Sequence, residues 1–148
     1  KYALGNITVL FAGRVAEELF CNDISAGARS DIKEATTLAR LMVSEWGMSE
    51  KMGPISYTDS EEHLFLGREI TRSHPHSEET AMEIDKEMKL ILMTCYARAK
   101  ELITAHKDIC DKIAKTLLVK EIMNAQDIED IVKSNNVEPP RNSHGSAV

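Results

Sequence analysis

The chain has 148 residues, 43% of them hydrophobic and 28% charged, enough apolar content to bury one core and build one domain. Its net charge of -6 and the absence of any Lys/Arg cluster exclude the basic surface that phosphate recognition needs, so nucleic acid is not an expected partner. No apolar run approaches the roughly 20 residues of a membrane span.

The first predicted element is a helix from Tyr2 to Phe20. Leu4, Ile7, Leu10, Phe11, Val15 and Leu19 cover most directions around it, which predicts burial on nearly all sides. Gly5 and Gly13 inside it each cost about 1 kcal/mol against Ala, so they predict close approach of a neighbouring backbone. The opening at Lys1, inside a helical pattern and without a signal peptide, is expected of a stretch taken from a longer chain.

Cys21 to Ser30 reads as a polar loop, and Ser30 or Asp31 as the N-cap of a second helix running to about Trp46. Ile32, Ala35, Ala39, Met42, Val43 and Trp46 give that helix one apolar face, and Gly47 ends it. The stretch from Met48 to Ser77 is punctuated by Gly53-Pro54, Asp59-Ser60-Glu61-Glu62, Gly67 and His74-Pro75-His76. Two β-prone pieces within it, Ile55-Ser56-Tyr57 and Leu64-Phe65-Leu66, could pair as one small hairpin.

Ser77 with Glu78 and Glu79 is a strong helix start, because a hydroxyl caps free N–H groups and acids suit the positive end of the helix dipole. Ile84, Met88, Ile91, Cys95 and Leu102 then predict a helix to about Ala105, roughly 40 Å long at 1.5 Å per residue. Lys107 to Leu118, with Ile109, Ile113 and Leu117, predicts an antiparallel helical partner. A short extended piece at Glu121-Ile122-Met123 leads to Asn124, the cap of a last small helix carrying Ile128, Ile131 and Val132. The expected organisation is therefore a folded domain over 1–134, mainly α and bundle-like, and a disordered tail over 135–148, which has almost nothing apolar to bury.

Few residues suggest chemistry by themselves. Taken alone, Asp31 reads as a helix-start acid, and Arg14 with Glu17 and Glu18 at i+3 and i+4 as an intrahelical ion pair. A glutamate on a helix apolar all round nevertheless needs a specific partner, since an unpaired buried charge is costly. His74 and His76 have no third ligand at a recognisable spacing, while His63, His106 and His144 are isolated. The methionines read as core filler. Cys21, Cys95 and Cys110 form no C-x-x-C pair and fit buried thiols in a reducing, cytosol-like compartment. No phosphate-binding glycine loop is present.

The order of several short motifs is more specific. Ala12-Gly13-Arg14-Val15-Ala16-Glu17-Glu18, followed by Ser25-Ala26-Gly27-Ala28-Arg29-Ser30-Asp31, resembles the x-G-R-x-A-E-E helix and T/S-G-A-x-x-D loop of the FtsH-type ATP-dependent zinc metallopeptidases. Gly47-Met48-Ser49-Glu50-Lys51-Met52-Gly53-Pro54, Phe65-Leu66-Gly67-Arg68 and Ser77-Glu78-Glu79-Thr80-Ala81 with Ile84-Asp85 continue the resemblance, which covers about Ile7 to Val132. Ala26 stands where Thr is usual, and Ala12 where the first Gly of Gly-Gly-Arg is usual.

The resemblance implies a mainly α-helical C-terminal lobe of a zinc peptidase domain. It implies that Asp31 is the third protein ligand of a catalytic Zn2+, and that Glu17 lies beside the metal site, placed to orient a ligating histidine. The other two ligands and the general base belong to an H-E-x-x-H helix, which this sequence does not contain, so it carries no catalytic residue and should be inactive alone. By the same resemblance the complete protein is a membrane-anchored homo-hexamer. Its ATPase domain, using ATP and Mg2+, feeds unfolded or membrane proteins to zinc sites facing the cytosol or an organelle matrix. The rival expectation is a helical oligomerisation or adaptor module that keeps the packing and has lost catalysis.

Overall fold

The computed structural model describes residues 1–21, 25–57 and 77–135. The elements are helix α1 (Tyr2–Ala16), a π-helical turn (Glu17–Cys21), a 3-10 turn (Ala26–Ala28), and helices α2 (Arg29–Ser44), α3 (Glu78–Ala105), α4 (Lys107–Lys120) and α5 (Ala125–Ser134). The protein is thus mainly α, with no strand among the described residues. Ile55 to Tyr57 has no regular structure, and the other expected hairpin arm, Leu64 to Leu66, lies outside the described residues. Of the expected tail over 135–148, all but Asn135 also lies outside them, and Asn135 itself donates to the Ile131 carbonyl at 2.6 Å. No helix among the described residues is long and apolar enough to cross a membrane. Contacts divide the chain into two compact units, Lys1–Leu102 and Ile103–Val148.

In the first unit, α1 packs on α2 and on the 3-10 turn. Its buried residues, Ile7, Phe11 and Val15, recur at four-residue spacing and define one face. Burial on all sides is not found, since Tyr2 and Val9 are 82% and 72% exposed. Gly5 and Gly13 lie on open helix surface, and a Cβ at either would meet no atom within 4 Å, so the close approach expected of them is absent among the described residues. On α2 the small residues Ala35 and Ala39 are fully buried, with Met42 and Val43 beside them, whereas Ile32 near its start and Trp46 just past its end are 42% and 46% exposed.

The segment after α2 is irregular but well bonded. The N–H groups of Trp46 and Met48 donate to the carbonyls of Leu41 and Met42, both at 2.9 Å, closing the helix end. Gly47 between them has φ +58, and a Cβ there would sit 2.7 Å from the Cα of Pro54. Only glycine satisfies both the left-handed conformation and the close contact. Ser49 accepts a bond from the Met52 N–H at 3.1 Å and donates to Glu87 of α3 at 2.7 Å. This brings Met52 onto a core of Val43, Ile84 and Met88, with Tyr57 and Ile91 packed around it.

Helix α3 starts as expected, with the Ser77 hydroxyl accepting from the Thr80 N–H at 3.2 Å. It buries Ile84, Met88, Cys95 and Ala99 along one stripe. Tyr96 meets Phe11 of α1 edge to face, with ring centroids 5.5 Å apart, and the Cys95 thiol points at the Leu4 carbonyl at 3.6 Å. Of the three cysteines only Cys95 is buried; Cys21 is exposed, contrary to expectation. The second unit contains α4 and α5, whose most buried residue is Ile109. Of the expected extended piece before α5, Glu121 instead closes α4 with φ +62, and Ile122 and Met123 have no regular structure.

Candidate metal centre

Glu17 follows the last α-helical residue of α1 and begins a turn of i→i+5 bonding. Such widened turns shift the side chains beyond them by one position and recur at functional sites. The Glu17 carboxylate is half-buried. Its Oε1 accepts a hydrogen bond from the Ser25 hydroxyl at 2.6 Å, and that hydroxyl accepts in turn from the Gly27 N–H at 3.0 Å. Its Oε2 is buried and has no hydrogen-bond partner among the described residues. An unmet buried carboxylate oxygen is uncommon in native proteins and calls for an explanation at that spot.

Arg14 does not form the expected ion pair with either glutamate. Its guanidinium donates to the Ser25 carbonyl at 3.4 Å, tying the helix to the loop. Glu18 reaches α3, where Lys100 donates to its Oε1 at 2.6 Å and the Tyr96 hydroxyl to its Oε2. The Lys100 ammonium first, and the Tyr96 hydroxyl second, hold the Glu18 carboxyl below the usual carboxylate range. The same contacts push the Lys100 ammonium and the Tyr96 phenol up. Glu18 is therefore satisfied at both oxygens, and its neighbour Glu17 at one.

Ser25 has an extended backbone, φ -86 and ψ 165, and caps the 3-10 turn through the Gly27 N–H. Helix α2 follows with Ala28 as its N-cap and no side-chain capping bond. Neither Ser30 nor Asp31 is the cap, which corrects the expectation: the 3-10 turn starts the helical path earlier and moves Asp31 to the third helical position. There Asp31 is half-buried, and the only hydrogen bond to its side chain among the described residues is a long one, 3.5 Å, from Ser30. No hydrogen bond joins Asp31 to Glu17. Sequence reasoning misses Ser25, although a serine two residues before a glycine is a recognisable turn-capping pattern.

Among the described residues no three His, Cys, Asp or Glu side chains gather as a metal cluster. His63, His74, His76 and His144 lie outside the described residues, and His106 precedes α4. The residues present nevertheless fit a zinc site completed by other groups. Asp31 is a carboxylate in the first turn of α2 and spent on no cap, while Glu17 has a spare buried acceptor that suits the N–H of a ligating imidazole.

The model of peptidase family M41 matches residues 1–131. The chain is 44% identical over 148 residues to the ATP-dependent zinc metalloprotease FtsH 2 of Methylacidiphilum infernorum (isolate V4), covering all of this chain and 23% of that protein. It is 43% identical over 135 residues to FtsH 1 of Thermoanaerobacter sp. (strain X514), covering 91% of this chain and 22% of that protein. With FtsH of Thermotoga maritima it shares 43% identity over 129 residues, 87% of this chain and 21% of that protein. The chain spans less than a quarter of the length of these relatives. With a family model covering nearly all of its described length, the chain belongs to peptidase family M41.

Proposed function

We propose that this chain is the part of an ATP-dependent zinc metalloendopeptidase that supplies Asp31 as one protein ligand and Glu17 as the carboxylate that orients a ligating histidine. The observation that carries the reading is the buried Oε2 of Glu17, an acceptor without a donor among the described residues. Asp31, unused as a helix cap, supports it. Zinc bound there would act as a Lewis acid and lower the pKa of its water to about 7. Asp31 contributes negative charge at a fixed helix position, and Ser25, Gly27 and Glu17 hold the loop ahead of it.

The names of the relatives support ATP dependence and proteolysis in the complete protein. On this reading its substrates are unfolded or membrane proteins. It is a membrane-anchored homo-hexamer whose ATP and Mg2+ are bound by another domain, and whose peptidase sites face the cytosol or an organelle matrix. This chain alone, lacking H-E-x-x-H, is inactive.

Asp31→Asn in the complete protein tests the assignment, since Asn preserves shape and removes the charged ligand. Casein cleavage and zinc occupancy should collapse while ATP hydrolysis and helical circular dichroism persist. Near-normal cleavage with full zinc would refute the reading and leave a helical packing or adaptor module. Chelator-sensitive casein cleavage by this chain alone would refute its inactivity.

A further inference from the structure

We propose that Ser25 is a positioning residue for the metal centre, a hydroxyl that sets the rotation of the Glu17 carboxylate and couples it to the loop leading to Asp31. This rests on the role given to Glu17 above. A carboxylate on a flexible side chain presents either oxygen to a partner unless one is already engaged. Here Ser25 engages Oε1 at 2.6 Å, a short bond of the charge-assisted kind, and thereby leaves Oε2 as the free, buried acceptor.

The hydroxyl is itself oriented. Because it accepts from the Gly27 N–H at 3.0 Å, its proton is directed away from that amide and toward Glu17. The Arg14 bond to the Ser25 carbonyl anchors the same residue from the helix side. Gly27 completes the cradle, since a Cβ there would lie 3.0 Å from the Ser25 Oγ, a tight contact, and 3.5 Å from the Glu17 Oε1, an ordinary one. The bond thus ties the π-turn after α1 to the 3-10 turn before α2. A shift in either moves the acceptor that Glu17 would offer to a ligating histidine.

The test uses the complete protein and measures its zinc dissociation constant by chelator competition, beside casein cleavage and ATP hydrolysis. Ser25→Ala should weaken zinc binding about 10-fold, the lower end of what loss of a partner behind a metal ligand costs. Ser25→Thr keeps the hydroxyl and suits the extended backbone, so it should restore zinc binding to within about 2-fold on that same scale. If Ser25 acts through Glu17, Ser25→Ala should change little in a Glu17→Ala background, whereas a plain turn cap would lose the same factor in both. Unchanged zinc affinity in Ser25→Ala, or equal loss in both backgrounds, would overturn the proposal. The parallel Asp31→Asn variant separates the two failures: if it loses zinc while Ser25→Ala does not, the site stands and only the role of Ser25 falls. If neither loses zinc, the site assignment itself falls.

Discussion

Helices α2 and α5 both place an aspartate at the third helical position, and the two aspartates do different things. At α5, Asn124 accepts from the Asp127 N–H at 2.9 Å while Asp127 accepts from the Asn124 N–H at 3.0 Å, a reciprocal capping box. Lys120 adds a third contact to Asp127 at 2.7 Å. At α2 the N-cap is Ala28, it makes no side-chain cap bond, and the Asp31 side chain has, among the described residues, only a long bond from its neighbour. The same residue type at the same position is committed to secondary structure in one place and held uncommitted in the other. An acid at a helix start that does no capping is a better candidate for external chemistry than its position alone suggests.

The largest test of this contrast is metal dependence. Asp31→Ala in the complete protein should weaken zinc binding by more than about 100-fold, beyond the range for residues behind the ligands. With zinc removed, the same variant should change unfolding free energy by less than about 0.5 kcal/mol, as for a half-buried side chain that neither caps nor pairs. A larger loss in the metal-free protein would mean that Asp31 supports the helix after all.

Asn124→Ala should do the reverse, costing about 1 kcal/mol of stability through the lost cap. Hydrogen exchange over 125–134 should accelerate, and zinc binding should stay unchanged. An unaltered exchange pattern would show that the capping box at α5 is no more used than the bare start of α2.

The smallest expected effect is in acid. Lys120 first, then the Asn124 N–H, holds the Asp127 carboxyl below its ordinary range. A carboxyl depressed in the native state contributes stability that is fully present above its unfolded pKa, about 3.9, and is lost as pH falls through the lower native value. The Asp127→Asn variant should therefore show a shallower loss of stability below about pH 4 than the parent. Equal slopes in acid-titrated unfolding curves would count against the pairing with Lys120.

How legible these features are in the sequence depends on their range. Helix α3 falls where Ser77, the acids after it and the long apolar period predict, because cap and periodicity are local signals. The start of α2 differs from the expected one because the 3-10 turn has no periodic signature, and the turn moves Asp31 inward from the cap. The burial of α1 is less complete than its pattern predicts: an apolar composition all round says nothing about which side a neighbour covers, and Val9 stays open while Phe11 is closed by Tyr96. The partners of Glu18 lie 78 and 82 residues away and leave no mark in a single sequence. Asp31 and Glu17 stand out by motif resemblance, whereas the hydroxyl that engages Glu17 becomes visible only once the loop is folded against the helix.

The bonds from α1 to α3 also impose an order of events on a chain being synthesised. Leu4 meets Cys95 across 91 residues, and Glu18 meets Tyr96 and Lys100 across 78 and 82, so that closure is entropically expensive and late. At about 5–20 residues per second a ribosome takes roughly 4–16 s to make the stretch between Glu18 and Tyr96. Over that interval α1 can dock on α2, but Glu18 lacks its cation and the Phe11 ring lacks its aromatic partner. Links in the second unit, such as Lys120 to Asp127, span only 7 residues and can form as soon as they emerge.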